Sequence, residues 1–327
     1  MSPSQRKHAP SAAQTGRHVA QNDVGKSAQD HSFHRIEHRR GKPSVWLAAP
    51  AMVFFGVFAL IPLIGVVVFS FMTWNGMGAI TWAGLDNWAA VFEDNKTIHA
   101  MWLSLVVIVA TWVIQAPIAL LLGVFMAGRQ RYRAVVSVIC FLPLLFSSAA
   151  IGIGFKSMLD PNFGLLSSLG LNWLHPDLLG KQWALWTIMF AVAWAFIPFH
   201  SLLYLAGVRQ IPVTFYEAST LDGASGWQQF WHITLPQLKY TIVTSSTLML
   251  VGALTYFDLF YVMTGGGPGE DTLILPLEMY LTGFRSFDMG KASAISVIIV
   301  IVGLALSLGL NRISGAQRME SQTEGMG

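Results

Sequence analysis

Residues 97–128 read TIHAMWLSLVVIVATWVIQAPIALLLGVFMAG, a stretch without a single Asp, Glu, Lys or Arg. A helix rises about 1.5 Å per residue and a hydrocarbon core is about 30 Å thick, so about 20 apolar residues suffice to cross it. On either side, residues 43–85, 134–155, 182–208, 240–257 and 292–311 are equally free of these four residue types. The interval 240–257 continues past Asp258 through Leu259, Phe260, Tyr261, Val262 and Met263. The sequence therefore predicts an all-α polytopic membrane protein with six transmembrane helices, over about 45–74, 100–126, 134–155, 183–207, 240–263 and 292–310. Only 11% of the 327 residues are charged, well under the roughly one quarter of a soluble domain. That excludes a water-soluble enzyme and a nucleic-acid-binding domain. Cys140 stands alone, which excludes a disulfide scaffold. No repeat of fixed period is visible.

The charges that remain are placed unevenly. Residues 1–44 hold eight Lys/Arg against three Asp/Glu, with five histidines and no apolar run. This composition predicts a solvated, disordered basic tail rather than a cleavable leader. His8, His18, His31, His34 and His38 have no regular ligand spacing and no Cys partners, so a metal site is not expected there. If both termini, the 128–134 loop and the 208–239 loop share one side, that side carries fifteen of the twenty basic residues. The positive-inside rule makes it the cytoplasm. The expected organisation is a cytoplasmic tail over 1–44, a six-helix membrane domain over 45–310 and a cytoplasmic C-terminal tail over 311–327, in a multi-pass protein of the cytoplasmic membrane.

Two stretches are more than connections. The first is Tyr216-Glu217-Ala218-Ser219-Thr220-Leu221-Asp222-Gly223-Ala224-Ser225-Gly226-Trp227-Gln228-Gln229-Phe230-Trp231-His232-Ile233-Thr234-Leu235-Pro236. It lies in about thirty residues of cytoplasmic chain, too long for a bare turn between antiparallel helices. Residues 214–221 and 225–232 read as two short helices, with Gly223 at the joint to supply a positive φ or a close backbone approach. Pro236 is expected to end the second helix. Asp222 is expected to cap that helix or to reach a basic residue on a partner, capping being the first choice. A half-apolar hairpin with exposed Glu217 and Asp222 suits docking against another protein.

The spacing Glu217-Ala218-Ser219, three residues, Gly223, nine residues, Ile233, one residue, Leu235-Pro236 resembles the EAA loop of the membrane subunits of ATP-binding cassette importers. Ser219 departs from the usual second alanine, a small-for-small change. The longer run EASTLDGASGWQQFWHITLP and the run FDLFYVMTGGGPG at 257–269 are most similar to the sugar-importer branch, which includes maltose- and glycerol-phosphate-type permeases. Weaker matches occur at GLDNWAAVFED (84–94), FLPLLFSSAAIGIGFKSMLDPNFGLL (141–166) and FRSFDMGKASAISV (284–297). The resemblance covers about residues 45–310. It implies one half of a pathway, most simply in a heterodimer with a second permease subunit, above two ATPase subunits that hold ATP and Mg, with an extracellular solute-binding protein delivering a sugar or oligosaccharide. Glu217 would be the charged anchor in the ATPase cleft, Ala218 and Ser219 would permit close approach, and Gly223 would be the pivot. The chain lacks a phosphate-cradling Gly-x-x-x-x-Gly-Lys-Ser/Thr loop, so neither ATP hydrolysis nor a cofactor is expected on it.

The second stretch is the end of the fifth span. Asp258 is flanked by Tyr256, Phe257, Phe260 and Tyr261. An ionisable residue at that depth faces a cavity or a partner, or else it sits hydrated at the interface beside Thr264-Gly265-Gly266-Gly267-Pro268; the sequence leaves both open. In the fourth span, Trp194, Phe196, Phe199 and His200 surround Pro198. Trp194 and Pro198 share one face, Phe196 and His200 another. Pro198 can open the helix and free carbonyls. A sugar offers C–H faces to aromatic rings and hydroxyls to polar groups, so Trp194, Phe196, Phe199, His200, Tyr256, Phe257 and Asp258 are the candidate pathway residues. Packing or lipid contact is the competing role of each aromatic, and a hydrogen bond within the bundle that of His200. A same-superfamily importer of a non-sugar solute such as glycerol phosphate is the alternative function. A secondary transporter, which usually carries several intramembrane carboxylates and an internal repeat, is less consistent with a single candidate acid.

Overall fold

A computed structural model of the chain describes residues 46, 48–128, 131–170 and 177–314. The predicted tail 1–44, Arg129 and the segment beyond residue 314 lie outside the described residues. The chain divides into two compact units, residues 1–56 and 57–327. The first contains α1 (Ala49–Phe55), with Pro50 in its first turn, where a missing N–H costs nothing. The second opens within the π turn Gly56–Leu60 and continues as α2 (Ile61–Phe69).

A two-stranded antiparallel ribbon follows, β1 (Met72–Thr73) with β2 (Thr81–Trp82), Met72 opposite Trp82. This is the one departure from the all-helical expectation among the described residues. Then come α3 (Asp86–Glu93) and α4 (Asn95–Met126), the helix of the opening stretch. Asp94 starts α4 by accepting from the Lys96 backbone N–H at 3.0 Å. Next are α5 (Arg131–Phe141), a 3₁₀ turn over Leu142–Leu145, α6 (Ser148–Met158) and α7 (Leu165–Ser168). α8 (Ala184–Gln210) leads to α9 (Val213–Leu221), α10 (Gly226–Gln229), a π turn Phe230–Thr234 and α11 (Leu235–Gln237). The chain ends with α12 (Lys239–Ala253), α13 (Phe257–Met263), α14 (Leu275–Tyr280), a π turn Leu281–Arg285 and α15 (Met289–Ser314).

Four helical segments are long and apolar enough to cross a membrane unbroken: Ala49–Phe69, Asn95–Met126, Ala184–Gln210 and Met289–Arg312. Two bent pairs bring the count to six if each is one span, α5 with α6 at 99° and α12 with α13 at 45°. The third expected span is thus not a straight helix. Pro143 lies in the 3₁₀ turn, Phe146 and Ser147 are extended, and the Ser147 hydroxyl starts α6 by accepting from the Ala150 N–H. The fifth yields after Gly252, whose carbonyl accepts from both the Thr255 hydroxyl (2.7 Å) and its N–H (2.9 Å). Pro198, by contrast, is buried inside an unbroken α8. The last helix runs past the expected end at 310, to Ser314.

The central packing is α4 against α8. A Cβ on Gly123 would lie 2.6 Å from the Tyr204 Cβ and 2.8 Å from the Ser201 carbonyl oxygen, so only glycine allows that approach. Around it, Ala100, Val107, Ile188, Val192, Leu259, Phe260, Leu277 and Ile295 form the buried core. Half of the segment 264–291 between the fifth and sixth expected spans is helical, and residues 272–278 within it are buried. Ser104 Oγ accepts from the Leu275 N–H at 2.7 Å, satisfying a donor that the start of α14 would otherwise leave unpaired. Two ion pairs tie the same end together, Lys96 to Glu278 at 2.8 Å and Lys291 to Asp94 at 2.6 Å. Met289 N–H donates to the Trp74 carbonyl at 3.0 Å, which brings the residue just after β1 and the start of α15 to that end as well. Residues of the first and third predicted outer loops therefore meet in space.

Candidate functional site: a coupling hairpin and a membrane cavity

α9 and α10 form the hairpin that the sequence predicts. α9 closes with Gly223 at φ +78°, the Gly223 N–H on the Thr220 carbonyl (3.1 Å) and the Ala224 N–H on the Ser219 carbonyl (2.9 Å). This pattern is a Schellman closure, for which glycine is the natural residue. α10 starts with a reciprocal cap. The Ser225 N–H donates to Gln228 Oε1 at 2.7 Å, and the Gln228 N–H donates to Ser225 Oγ at 3.4 Å. Asp222 is therefore not the cap of the second helix; it ends α9 and is exposed. Pro236 does not end that helix either. It sits in the first turn of α11, where the helical path runs on through the π turn toward α12.

Two side-chain bonds brace the hairpin, Tyr216 OH with Thr234 Oγ1 at 2.9 Å and Gln229 Nε2 donating to Thr220 Oγ1 at 3.0 Å. Neither was legible from the motif spacing. Ser219, Asp222, Gly223, Ala224, Gln228, Gln229, His232 and Ile233 enclose a cavity of about 320 Å³. Glu217 and Ala218 are exposed, Leu235 is half-buried, and Leu221 is 89% exposed. Trp227 (67% exposed) stacks on Phe230 with centroids 5.8 Å apart and meets Trp231 edge-on at 5.6 Å. A braced hairpin with bare apolar side chains and a free carboxylate offers a partner a rigid surface to grip.

The seven pathway candidates fall into three places. Phe196, Phe199, His200 and Tyr256 line one cavity of about 370 Å³, together with Leu144, Leu248, Gly252 and Thr255. Phe196 stacks on Tyr256 with centroids 4.9 Å apart, and the buried His200 Nδ1 lies 3.0 Å from Ser245 Oγ. The cavity sits beside the bend between α12 and α13. Trp194 lies elsewhere. With Pro198 it lines an apolar cavity of about 470 Å³ between α4, α5 and α8 that also includes Trp186 and Cys140. Phe257 and Asp258 face neither space: Phe257 stacks on Tyr261, and Asp258 is exposed. Leu144, Leu248 and Thr255 went unnoticed in the sequence because they meet the cavity only through the two bends.

A bundle of unbroken and bent apolar helices around a mostly apolar, aromatic-lined cavity, with a braced hairpin on one connection, is the architecture of an integral membrane subunit. Residues 116–317 match the family described as the binding-protein-dependent transport system inner membrane component, and the chain belongs to that family. It is a permease subunit of an ABC transporter. It is 32% identical over 268 residues to the probable ABC transporter permease protein YurN of Bacillus subtilis, a match covering 79% of this chain and 91% of the relative. The arabinooligosaccharides transport system permease protein AraP of the same organism is 30% identical over 283 residues, covering 83% and 88%. The sn-glycerol-3-phosphate transport system permease protein UgpA of Brucella suis is 32% identical over 275 residues, covering 80% and 91%. In fold, the chain is similar to a chain of the crystal structure of a bacterial ABC transporter involved in the import of the acidic polysaccharide alginate, with a TM-score of 0.73 at 23% identity over 84% of this chain and 95% of the other.

Proposed function

We propose that this permease subunit forms half of a pathway for uptake of a sugar or oligosaccharide, delivered by an extracellular binding protein and driven by separate ATPase subunits docked on the α9–α10 hairpin. The observation that carries the reading is the hairpin itself. Its backbone is capped at both helix ends, while Glu217, Leu221 and Trp227 stand bare. ATP and Mg belong to the partner chains in this reading, because the sequence has no Gly-x-x-x-x-Gly-Lys-Ser/Thr loop. The termini lie in the cytoplasm with the hairpin, on the side richer in basic residues. The second permease subunit is a different chain, making a heterodimer.

A sugar is favoured as cargo by the lining of the 370 Å³ cavity. Phe199 offers a ring face, and Thr255 and His200, already bonded to the Gly252 carbonyl and to Ser245, keep further hydrogen-bonding capacity. A glycerol phosphate importer is the second reading, motivated by the UgpA relative. A phosphate dianion calls for Arg, Lys or a cluster of N–H donors, and the cavity lining contains no Arg or Lys.

The test is purification of the tagged chain from its native membrane, followed by identification of the chains that come with it. The expected set is a second permease, an ATPase with a phosphate-binding loop and, on adding cargo, an extracellular binding protein. A chain that purifies alone after mild solubilisation would contradict the proposal.

A further inference from the structure

The 470 Å³ cavity between α4, α5 and α8 differs in chemistry from the one proposed for cargo. No side chain of its lining carries a charge, a hydroxyl or an amide. Ile118, Ile139, Trp186, Phe190 and Trp194 are exposed along it, so it is a groove open on one side. On α4 it follows Ile114, Ile118 and Leu122, successive residues of one helix face. Phe125 is the next residue of that stripe.

A cation stands where the stripe ends. On α5 Cys140 lines the groove, and Arg133, seven residues earlier, lies on the same face because two helical turns return to nearly the same angle. The half-buried Arg133 closes on Phe125, with its guanidinium carbon 4.7 Å from the ring centroid and Nη1 donating to the Phe125 carbonyl. Nε donates to the Tyr132 hydroxyl at 3.4 Å. These contacts hold the guanidinium in place and leave Nη2 uncommitted. Neither of the ion pairs among the described residues includes Arg133 or Arg209 of α8. Arg209 belongs to the same end, where it lines a cavity of about 430 Å³ with Ala127 and with Tyr216 of the hairpin.

Length and charge together name an occupant. From Ile114 to Phe125 the groove's wall on α4 is about 16 Å long at 1.5 Å per residue, close to half of a hydrocarbon core about 30 Å thick. A sugar finds no hydroxyl partner in this lining. A close-packed helix calls for small residues at the contact, whereas Trp186, Phe190 and Trp194 wall the groove. An acyl chain needs only apolar walls, and a lipid phosphate meets an uncompensated guanidinium at the depth of its own headgroup.

We infer that this groove binds one anionic phospholipid from the leaflet on the hairpin side, with an acyl chain between α4, α5 and α8 and its phosphate on Arg133. Trp194 is then a lipid contact and not a cargo contact. The inference needs the membrane bundle alone and does not depend on the cargo.

The test uses the chain purified with its partner subunits in mild detergent and equilibrated with equal amounts of dioleoyl phosphatidylglycerol and dioleoyl phosphatidylcholine. Native mass spectrometry should show the glycerol lipid retained about fivefold over the choline lipid, the scale of one Arg near an anionic headgroup. Arg133→Gln, which can still donate to the Phe125 carbonyl, should abolish the preference, and Arg133→Lys should keep most of it. A phosphatidylglycerol with a diazirine in one acyl chain should cross-link to residues 114–122 or 139–143, and Ile139→Trp, on the exposed wall, should suppress those cross-links. Equal retention of the two lipids by the native complex, or an unchanged preference in Arg133→Gln, would overturn the inference. Absence of cross-links to these two segments would mean that a protein partner covers the groove, and would overturn it as well.

Discussion

Gly223 carries the largest consequence of any single residue in the hairpin. Its φ of +78° disfavours any side chain by about 1–2 kcal/mol, yet an added Cβ would meet nothing within 4 Å. The restriction is conformational rather than spatial. Gly223→Val is therefore expected to lose ATPase retention in purified complexes while Gly223→Asn, which tolerates the left-handed region, keeps most of it. Co-purified ATPase per permease measures this. Glu217→Ala should lower retention without changing membrane insertion, since the carboxylate is exposed on the hairpin. Glu278 presents the opposite situation, a side chain only 3% exposed whose ion partner is the more accessible Lys96. Lys96→Ala leaves that carboxylate buried without a counter-charge, with the Thr282 hydroxyl donating to it at 3.0 Å, at an expected cost of about 3 kcal/mol in thermal or denaturant unfolding. Adding Glu278→Gln should recover most of the loss.

Asp94 supplies the pH dependence at the same end. Burial works against its charged form, but the Lys291 ammonium, the Thr97 hydroxyl and the Lys96 backbone N–H outweigh burial and hold the carboxyl at about 2, below its ordinary 3.8. A depressed folded-state value means that this contribution is complete above about 3.8 and disappears as the pH falls toward about 2. The melting difference between the native protein and Asp94→Asn should stay constant at neutral and mildly acidic pH and close only across that acidic window. Asn retains the capping acceptor, so what closes is the charged part of the interaction.

At the scale of elements, the hairpin was largely legible and the bends were not. A glycine at the joint is a local signal, and α9 and α10 formed within a few residues of the expected bounds; the Ser225-x-x-Gln228 cap is equally local, but Asp222 was expected in its place. Proline was a poor guide to the breaks. Pro117 and Pro198 sit inside unbroken α4 and α8, Pro143 accompanies a 99° bend, and the 45° bend has no proline. In a membrane bundle neighbouring helices satisfy the freed carbonyls, so only the surrounding packing decides whether a proline breaks a helix. The cavities follow from the same logic. The i, i+4 rule sorted Trp194 with Pro198 and Phe196 with His200, and each pair lines its own space. The ring contact of Tyr261 with Tyr280 crosses a glycine-rich turn that no local pattern measures. Phe199→Ala and Tyr256→Ala are each expected to cut uptake severalfold while leaving assembly and the binding protein's own affinity unchanged. Uptake of every accepted sugar at the native rate in both variants would assign these rings to packing.

For the whole molecule, six charge-free intervals announced the membrane, and the basic residues assigned its sides. Contacts among Trp74, Asp94, Lys96, Glu278 and Lys291 bring residues near the first and last expected spans' outer ends together, an arrangement common to both orientations, so the orientation is tested separately. After replacement of Cys140 by serine, single cysteines at Ala90 or Leu169 should react with an impermeant thiol reagent in intact cells, and one at Asp222 should not. Reaction at 222 from outside would reverse the orientation and remove the hairpin from the ATPase side. The central claim is that this chain moves solute only when a separate ATPase drives it through that hairpin. Uptake of radiolabelled oligosaccharide into proteoliposomes measures it directly, comparing the full set of co-purifying chains with the same set carrying Gly223→Val and with this chain alone. The account predicts ATP-dependent uptake in the first, strongly reduced uptake in the second and none in the third. Concentrative uptake by the isolated chain, or native uptake with Gly223→Val, would contradict it.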